Sequence, residues 1–168
     1  MDIRTFQCLP DAERKALFGW GEDIFGMVPY DLHWRSKDWH FVLYEDGVPR
    51  ANASVLRQEV LIDGRPTAVG GLGSVVTVPE AQRRGLAKLV VGRATEFLQN
   101  DLETTFGLLF CLPRRVPLYR SLGWEVAEPG VMIYQLGGKV PSPLPVMIRP
   151  FTDERWPIAR VDLGSLPW

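Results

Sequence analysis

The sequence is short of several things, and each shortage excludes a class of protein. Its 168 residues include two cysteines, Cys8 and Cys111, far apart in the chain. That supply gives no disulfide framework and no metal-ligand spacing, and it fits a reducing compartment. The two histidines, His33 and His40, have no Cys or His neighbour at metal spacing either, so no metal is expected. No apolar run approaches the roughly 18 residues that a membrane span needs. The opening "MDIRTFQCLPDAERKALF" carries acids and a proline where a signal peptide would be continuously apolar, so a cytoplasmic location is expected. With a net charge of −1 and scattered Lys and Arg, the chain has no excess of either sign to hold nucleic acid or a membrane surface. Internal repeats, low-complexity tracts, GxxxxGK[ST] and GxSxG are all absent, and "GGLGSV" lacks the third glycine of a dinucleotide fingerprint.

What is present reads as one soluble globular domain over 1–168, long enough to bury a sizeable core. "PDAERKALFGWGEDIFGM" predicts a helix, with Pro10 in its first turn, Asp11 and Glu13 at its positive end, and Ala16, Leu17 and Trp20 on one face. A second short helix is expected over Glu22 to Met27, followed by an aromatic, charged loop, "VPYDLHWRSKDW". From His40 the pattern turns to strands. "HFVLYE" runs into Asp46-Gly47 and "ANASVLRQEVLI" into Asp63-Gly64, the strongest short hairpin signal, and "PTAVGGLGSVVTV" follows. Leu86, Val90, Ala94 and Phe97 then recur at helical spacing. "TFGLLFCL" has the unbroken apolarity of a strand buried on both faces. "PRRVPLYRSLGW" predicts a short helix stopped at Gly123, and "VMIYQL" a final strand. The Pro- and Gly-rich remainder, about 138–168, is expected as a C-terminal strap. A meander leading into a strand-helix-strand unit indicates a mixed α+β sheet.

Between the "GSVVTVPE" strand and the "KLVVGRATEFL" helix lies "QRRGLA", an oddly basic interruption. Helix N-termini offer unpaired N–H groups and partial positive charge, which makes them anion sites. Gly85 and Ala87 would let a pyrophosphate approach the backbone, and Arg83 and Arg84 would add cationic donors. On the loop alone, a solvated turn accounts for the residues equally well.

"VTVPEAQRRGLAKLVV" resembles the acetyl-CoA signature of the GNAT N-acetyltransferase superfamily, with Gln82, Gly85 and Ala87 in its fixed positions. "PLYRSLGWE" resembles the superfamily's second signature, a helix carrying Tyr and ending in Leu-Gly-Trp. The two occur in the family's order and cover about His40 to Leu136. The resemblance implies a mostly antiparallel central sheet with helices on both faces and a V-shaped cleft between the fourth and fifth strands. It implies acetyl-CoA as co-substrate. Its pantetheine arm would lie on backbone groups of Val76, Thr77 and Val78, and its pyrophosphate on Gln82, Arg83, Arg84, Gly85, Leu86, Ala87 and Lys88. Tyr119 takes the place of the family's general acid. Many members carry a glutamate on the strand before the loop, where this chain reads "GGLGS". That departure leaves the base to a water held by Ser74 and backbone, or to an acid from elsewhere, among them Glu22, Asp23, Asp31 and Asp38.

The implied activity is acetyl transfer to a primary amine, with a small-molecule acceptor. The middle region and the final Trp168 are similar to aminoglycoside 2′-N-acetyltransferases, whose polycationic acceptor would here meet Asp31, Asp162 and the Trp168 tail. A strap packed on the sheet through Trp156, Leu163, Leu166 and Trp168 explains that tail slightly better than a substrate contact does. A peptide or protein N-acetyltransferase and a non-catalytic acyl-CoA-binding regulatory module are the alternatives, and a homodimer is compatible with the family reading.

Overall fold

The computed structural model describes residues 1–168. A seven-stranded sheet runs in the order β1 (Asp2–Phe6), β2 (Trp39–Glu45), β3 (Val48–Ile62), β4 (Arg65–Thr77), β5 (Phe106–Phe110), β9 (Val146–Pro150) and β6 (Glu125–Val126). Every pairing in it is antiparallel except β4 with β5, joined through the crossover helix α2 (Leu86–Asn100). A second sheet orders β10 (Val161–Asp162), β7 (Val131–Gln135) and β8 (Gly138–Pro141).

Both expected hairpins form. Asp46-Gly47 has φ of 50° and 76°, and Asp63-Gly64 of 50° and 75°, the paired positive values that suit a tight turn between twisted strands. α2 begins at Leu86 and buries Val90, Val91, Ala94 and Leu98. β5 is buried at all five positions. The short helix α3 (Val116–Arg120) ends before Gly123, whose φ is 82°.

Strand alternation divides the core. On β2, Trp39 and Phe41 stack on Phe97 of α2, while on the opposite face the Tyr44 hydroxyl donates to Glu13 of α1 (Asp11–Phe18). Helices α1 and α2 therefore cover opposite faces. Leu56, Val69, Phe106 and Phe110 continue the α1 face into a second cluster under β7, β10 and the tail.

Four readings of the sequence change. No helix spans Glu22 to Met27. The Asp23 carboxylate instead accepts Met27 N–H at 2.8 Å and Val28 N–H at 3.3 Å, closing an Asx-type turn. On α1 only Leu17 is fully buried, whereas Ala16 and Trp20 face solvent. An edge strand, β1, precedes α1 where no strand is expected: it has five residues and none of them is fully buried, so its apolar signal is only Ile3 and Phe6. The segment expected as a strap carries β8, β9 and β10, and β9 is an interior strand between β5 and β6. Its prolines sit at the ends of β9, Pro145 just before the strand and Pro150 as its last residue, where a missing N–H costs the ladder little.

Candidate active site

The parallel pairing of β4 with β5 extends only from Val69–Phe106 to Leu72–Leu109. Beyond it β4 stays with β3, its Val76 opposite Asn52 and Thr77 opposite Ala51, while β5 keeps its pairing with β9, which runs its whole length from Phe106–Pro150 to Phe110–Val146. The parting point carries a bulge. The β3–β4 register shifts between Asn52 and Ser54, and Ser74 takes a left-handed φ of 48°. A bulge sharpens the twist and re-aims the strand. It turns β4 away from β5 and opens the expected cleft between the fourth and fifth strands.

The cleft is a cavity of about 660 Å³. One wall is Val75, Val76 and Thr77, and the other is Cys111, Tyr119 and Leu118. Gln82, Arg83, Gly85, Leu86, Ala87 and Lys88 close one end. Gly85 has φ of 81° at the N-cap of α2, and no side chain caps the helix; the Lys88 N–H turns back to the Gly85 carbonyl at 3.0 Å, which leaves the Leu86 and Ala87 N–H groups at that end without a partner in the chain. Gln82 is held by its amide donating to the Thr77 carbonyl at 3.1 Å. The Thr77 hydroxyl is buried without a partner in the chain. An unpaired strand edge, an orphaned hydroxyl and an uncapped helix start together fit an extended, amide-bearing arm that ends in a phosphate anion.

Two sequence expectations meet a different geometry. Arg83, at φ 61°, lines the cleft. Arg84 does not: its guanidinium forks the Glu45 carboxylate at 2.9 and 2.6 Å. Adjacent side chains on a turn diverge, and the acid at the end of β2 captures one of them. Arg84 therefore fastens the loop to the sheet rather than presenting its charge to the cleft. Trp168, expected at the acceptor, has a buried side chain. Its indole N–H donates to the Leu108 carbonyl at 3.1 Å, its ring meets Phe110 edge-on at 5.6 Å, and it occupies the space beside Gly71. It wedges the fork between β4 and β5 from below and forms part of the cleft floor.

Tyr119 lies where the second signature put it, on α3 against the cleft. Burial, with the nearby Cys111 thiol adding to it, pushes its phenol well above the ordinary tyrosine value, and Arg115 opposes this. It therefore keeps its proton throughout the physiological range. Burial likewise raises the Cys111 thiol to about 11, which leaves it a neutral wall residue.

A second cavity, of about 640 Å³, opens on the α1 face and shares Ser74, Ile24, Phe25, Met27 and Trp34 with the first. Asp31, Glu22, Asp23, Arg14 and His40 supply its charged and titratable wall. Asp162 is elsewhere, exposed and paired with Lys139. Beneath the shared bulge runs a polar chain. His40 Nδ1 meets Ser54 Oγ at 2.8 Å, Asn52 Nδ2 donates to Ser54 Oγ at 2.9 Å, and Asn52 Nδ2 also donates to the Ser74 carbonyl at 2.8 Å. Burial, Arg14 and Lys37 lower the His40 pKa, with Asp38 opposing. Asn52 fixes the bulge from the neighbouring strand. Its signal in the sequence is a pair of polar residues, Asn52 and Ser54, at alternate positions of an otherwise apolar stretch of strand.

A family model for an acetyltransferase (GNAT) domain matches residues 26–127, which span the bulge, the loop, α2, the cleft and Tyr119. The chain belongs to the GNAT acetyltransferase family. The fold of this GNAT chain is similar to that of the GNAT-family protein YhbS from Escherichia coli, solved in complex with CoA, at 16% identity and a TM-score of 0.63, covering 96% of this chain and 88% of that one. It is also similar to a GNAT-family acetyltransferase from Brucella melitensis, solved with acetyl-CoA, at 16% identity and a TM-score of 0.58, covering 95% and 94%. A GCN5-related N-acetyltransferase from Kribbella flavida matches 75% of this chain at 20% identity and a TM-score of 0.51, and there the match spans 34% of the longer protein. No curated protein matches the chain by sequence. No helix is long and apolar enough to cross a membrane.

Proposed function

We propose that this GNAT acetyltransferase uses acetyl-CoA to acetylate a primary amine of a small molecule, with the two substrates entering from opposite faces of the sheet. The observation that carries the reading is the meeting of two cavities at the Ser74 bulge, one closed at its end by a helix start without a side-chain cap and the other lined by acids and aromatics. The similar proteins from Escherichia coli and Brucella melitensis, solved with CoA and acetyl-CoA, support the choice of co-substrate.

Acetyl-CoA supplies an activated acyl group whose thioester carbonyl the amine attacks. Gln82 to Lys88 hold the pyrophosphate through the first N–H groups of α2 and the Arg83 guanidinium. Backbone groups of Val76, Thr77 and Val78 hold the pantetheine arm as an added strand edge, and an amide near Val76 polarises the carbonyl. Holding both reactants at the fork supplies acceleration by orientation. Tyr119, a neutral phenol that holds its proton at physiological pH, donates it to the departing thiolate. A water held at Ser74 takes the proton of the amine.

On the acceptor side, Glu22 and Asp31 offer carboxylates to an ammonium group, while Asp23 is already engaged with the backbone. Leu9, Phe18, Phe25 and Trp34 offer apolar contact. An amino sugar, suggested by the resemblance to aminoglycoside 2′-N-acetyltransferases, stands at the polar end of this class and an arylalkylamine at the apolar end. Thiol release from acetyl-CoA against a panel containing both tests the reading. Tyr119→Phe should retain CoA binding and lose about 100-fold in kcat. Tight CoA binding with no turnover of any amine would instead make the chain a non-catalytic acyl-CoA-binding module.

A further inference from the structure

Arg14 on α1 and His40 on β2 both line the cavity on the α1 face of the sheet. Arg14 takes part in no ion pair, whereas Arg4, Arg50 and Arg84 each do. Its Nη2 donates to the Leu9 carbonyl at 3.5 Å, and Leu9 lines the same cavity. That single long bond steadies the guanidinium there and leaves its other N–H groups free. The polar chain beneath the bulge fixes the His40 ring. Asn52 Nδ2 lies 2.8 Å from the Ser74 carbonyl oxygen, so this atom is the amide nitrogen and donates. Its second contact, Ser54 Oγ at 2.9 Å, therefore accepts. Ser54 is fully buried, and His40 Nδ1 at 2.8 Å is the partner left for its hydroxyl proton. Satisfying that proton puts the imidazole hydrogen on Nε2, and protonating Nδ1 would forfeit the Ser54 bond. The Nε2–H has no partner in the chain and, unlike Asn52 Oδ1, is not sealed from solvent. The cavity also carries Glu22 and Asp31, neither of them in an ion pair, while Asp23 is held by the Met27 and Val28 N–H groups. Asp38, near His40, is exposed and does not line it. Its walls therefore offer a cation and a neutral donor as well as carboxylates. A simple amine would answer the acids and leave Arg14 and His40 without a counterpart.

We propose that the acceptor is an α-amino acid with an apolar side chain, its carboxylate held by the Arg14 guanidinium and the His40 Nε2–H. This rests on the amine-acetylation reading above and narrows it. An α-amino acid carries its amine and its carboxylate on one carbon. That suits a site whose His40 donor is tied through Ser54 and Asn52 to Ser74, where the amine must arrive. A carboxylate accepts from both groups at once, and bonds to a charged partner are the stronger kind. Glu22 and Asp31 offset the ammonium charge, and Leu9, Phe18, Phe25 and Trp34 take the side chain. The ammonium first gives one proton to the water at Ser74. Its nitrogen then forms the N–C bond to the acetyl carbonyl carbon, and the C–S bond breaks with its electron pair passing to sulfur. The second proton lost by nitrogen is matched by the one that sulfur gains through Tyr119. The products are an N-acetyl amino acid and CoA thiol.

The test compares matched acceptors that differ only by the carboxylate, L-phenylalanine against phenethylamine and L-leucine against isopentylamine, by thiol release from acetyl-CoA with the full chain. The expected result is a kcat/KM about 10–100-fold higher for each amino acid than for its amine. Arg14→Gln should bring that ratio towards one, chiefly by raising the KM of the amino acid. His40→Phe should lower the ratio several-fold and His40→Gln, which keeps a side-chain N–H, should restore part of it. Nitrogen-15 shifts of the His40 ring should report hydrogen on Nε2 at neutral pH. Amines turned over as well as or better than their amino acids overturn the proposal and leave the amine reading intact. A ratio that stays the same in Arg14→Gln, or a His40 ring with its hydrogen on Nδ1, overturns the assigned carboxylate donors. A chain that binds CoA and turns over neither member of either pair overturns this proposal and counts against the amine reading with it.

Discussion

At the scale of single residues, environment separates side chains that look alike in the sequence. Arg83 and Arg84 are adjacent and identical, yet one faces the cleft and the other is captured by Glu45. Their shared basicity was legible; their division of labour depends on an acid 39 positions earlier, which only the folded sheet brings near. Lys37 shows the same principle through burial. Its folded pKa of about 8 lies below the unfolded value, so between about pH 8 and 10.5 the unfolded chain binds more protons. Stability must then rise with pH through that window, because the penalty of burying a charged amine disappears as the amine deprotonates. Lys37→Met should therefore stabilise the chain by about 1–2 kcal/mol at pH 7. Chemical denaturation across the window should show the difference closing towards pH 10.5. A constant difference would mean that the substitution acts through packing alone.

At the scale of elements, the parts that were legible are those whose periodicity and punctuation agree. The Asp-Gly turns, the α2 stripe and the unbroken apolar run of β5 each carry a local signal that tertiary contacts only reinforce. β9 was not legible, because "PLPVMIRP" reads as linker until β5 and β6 supply ladders on both sides. The bulge was hidden for a related reason: it is fixed by Asn52 from the adjoining strand, and nothing within "GGLGSVV" announces it. The tail belongs to this scale too. Trp168 fills the fork between β4 and β5, and its removal leaves a cavity at the base of the cleft. Trp168→Ala should cost about 3–5 kcal/mol, measured by urea unfolding. A raised acceptor KM in a still-folded Trp168→Phe variant would show in addition that the tail shapes the acceptor side.

At the scale of the whole molecule, the sheet is a partition with a single breach. α2 and its loop prepare one side for an anion, α1 and the 21–37 segment shape the other, and the strands part where Ser74 breaks register. The Arg84–Glu45 fork and the Arg50–Glu80 pair at 2.9 Å brace the loop against the β2–β3 turn, so the anion site is formed before any ligand arrives. Each of these pairs has one solvent-exposed partner, Arg84 or Glu80, and losing one should cost stability only about 0.5–1 kcal/mol. The most direct measurement is calorimetric titration of CoA into the wild type, Arg83→Ala and Arg84→Ala. If the cleft holds the pyrophosphate as described, the wild type binds, Arg83→Ala weakens binding about tenfold or more, and Arg84→Ala changes it by less than about threefold. Absence of wild-type binding, or equal losses in the two variants, would contradict the placement of CoA in this cleft.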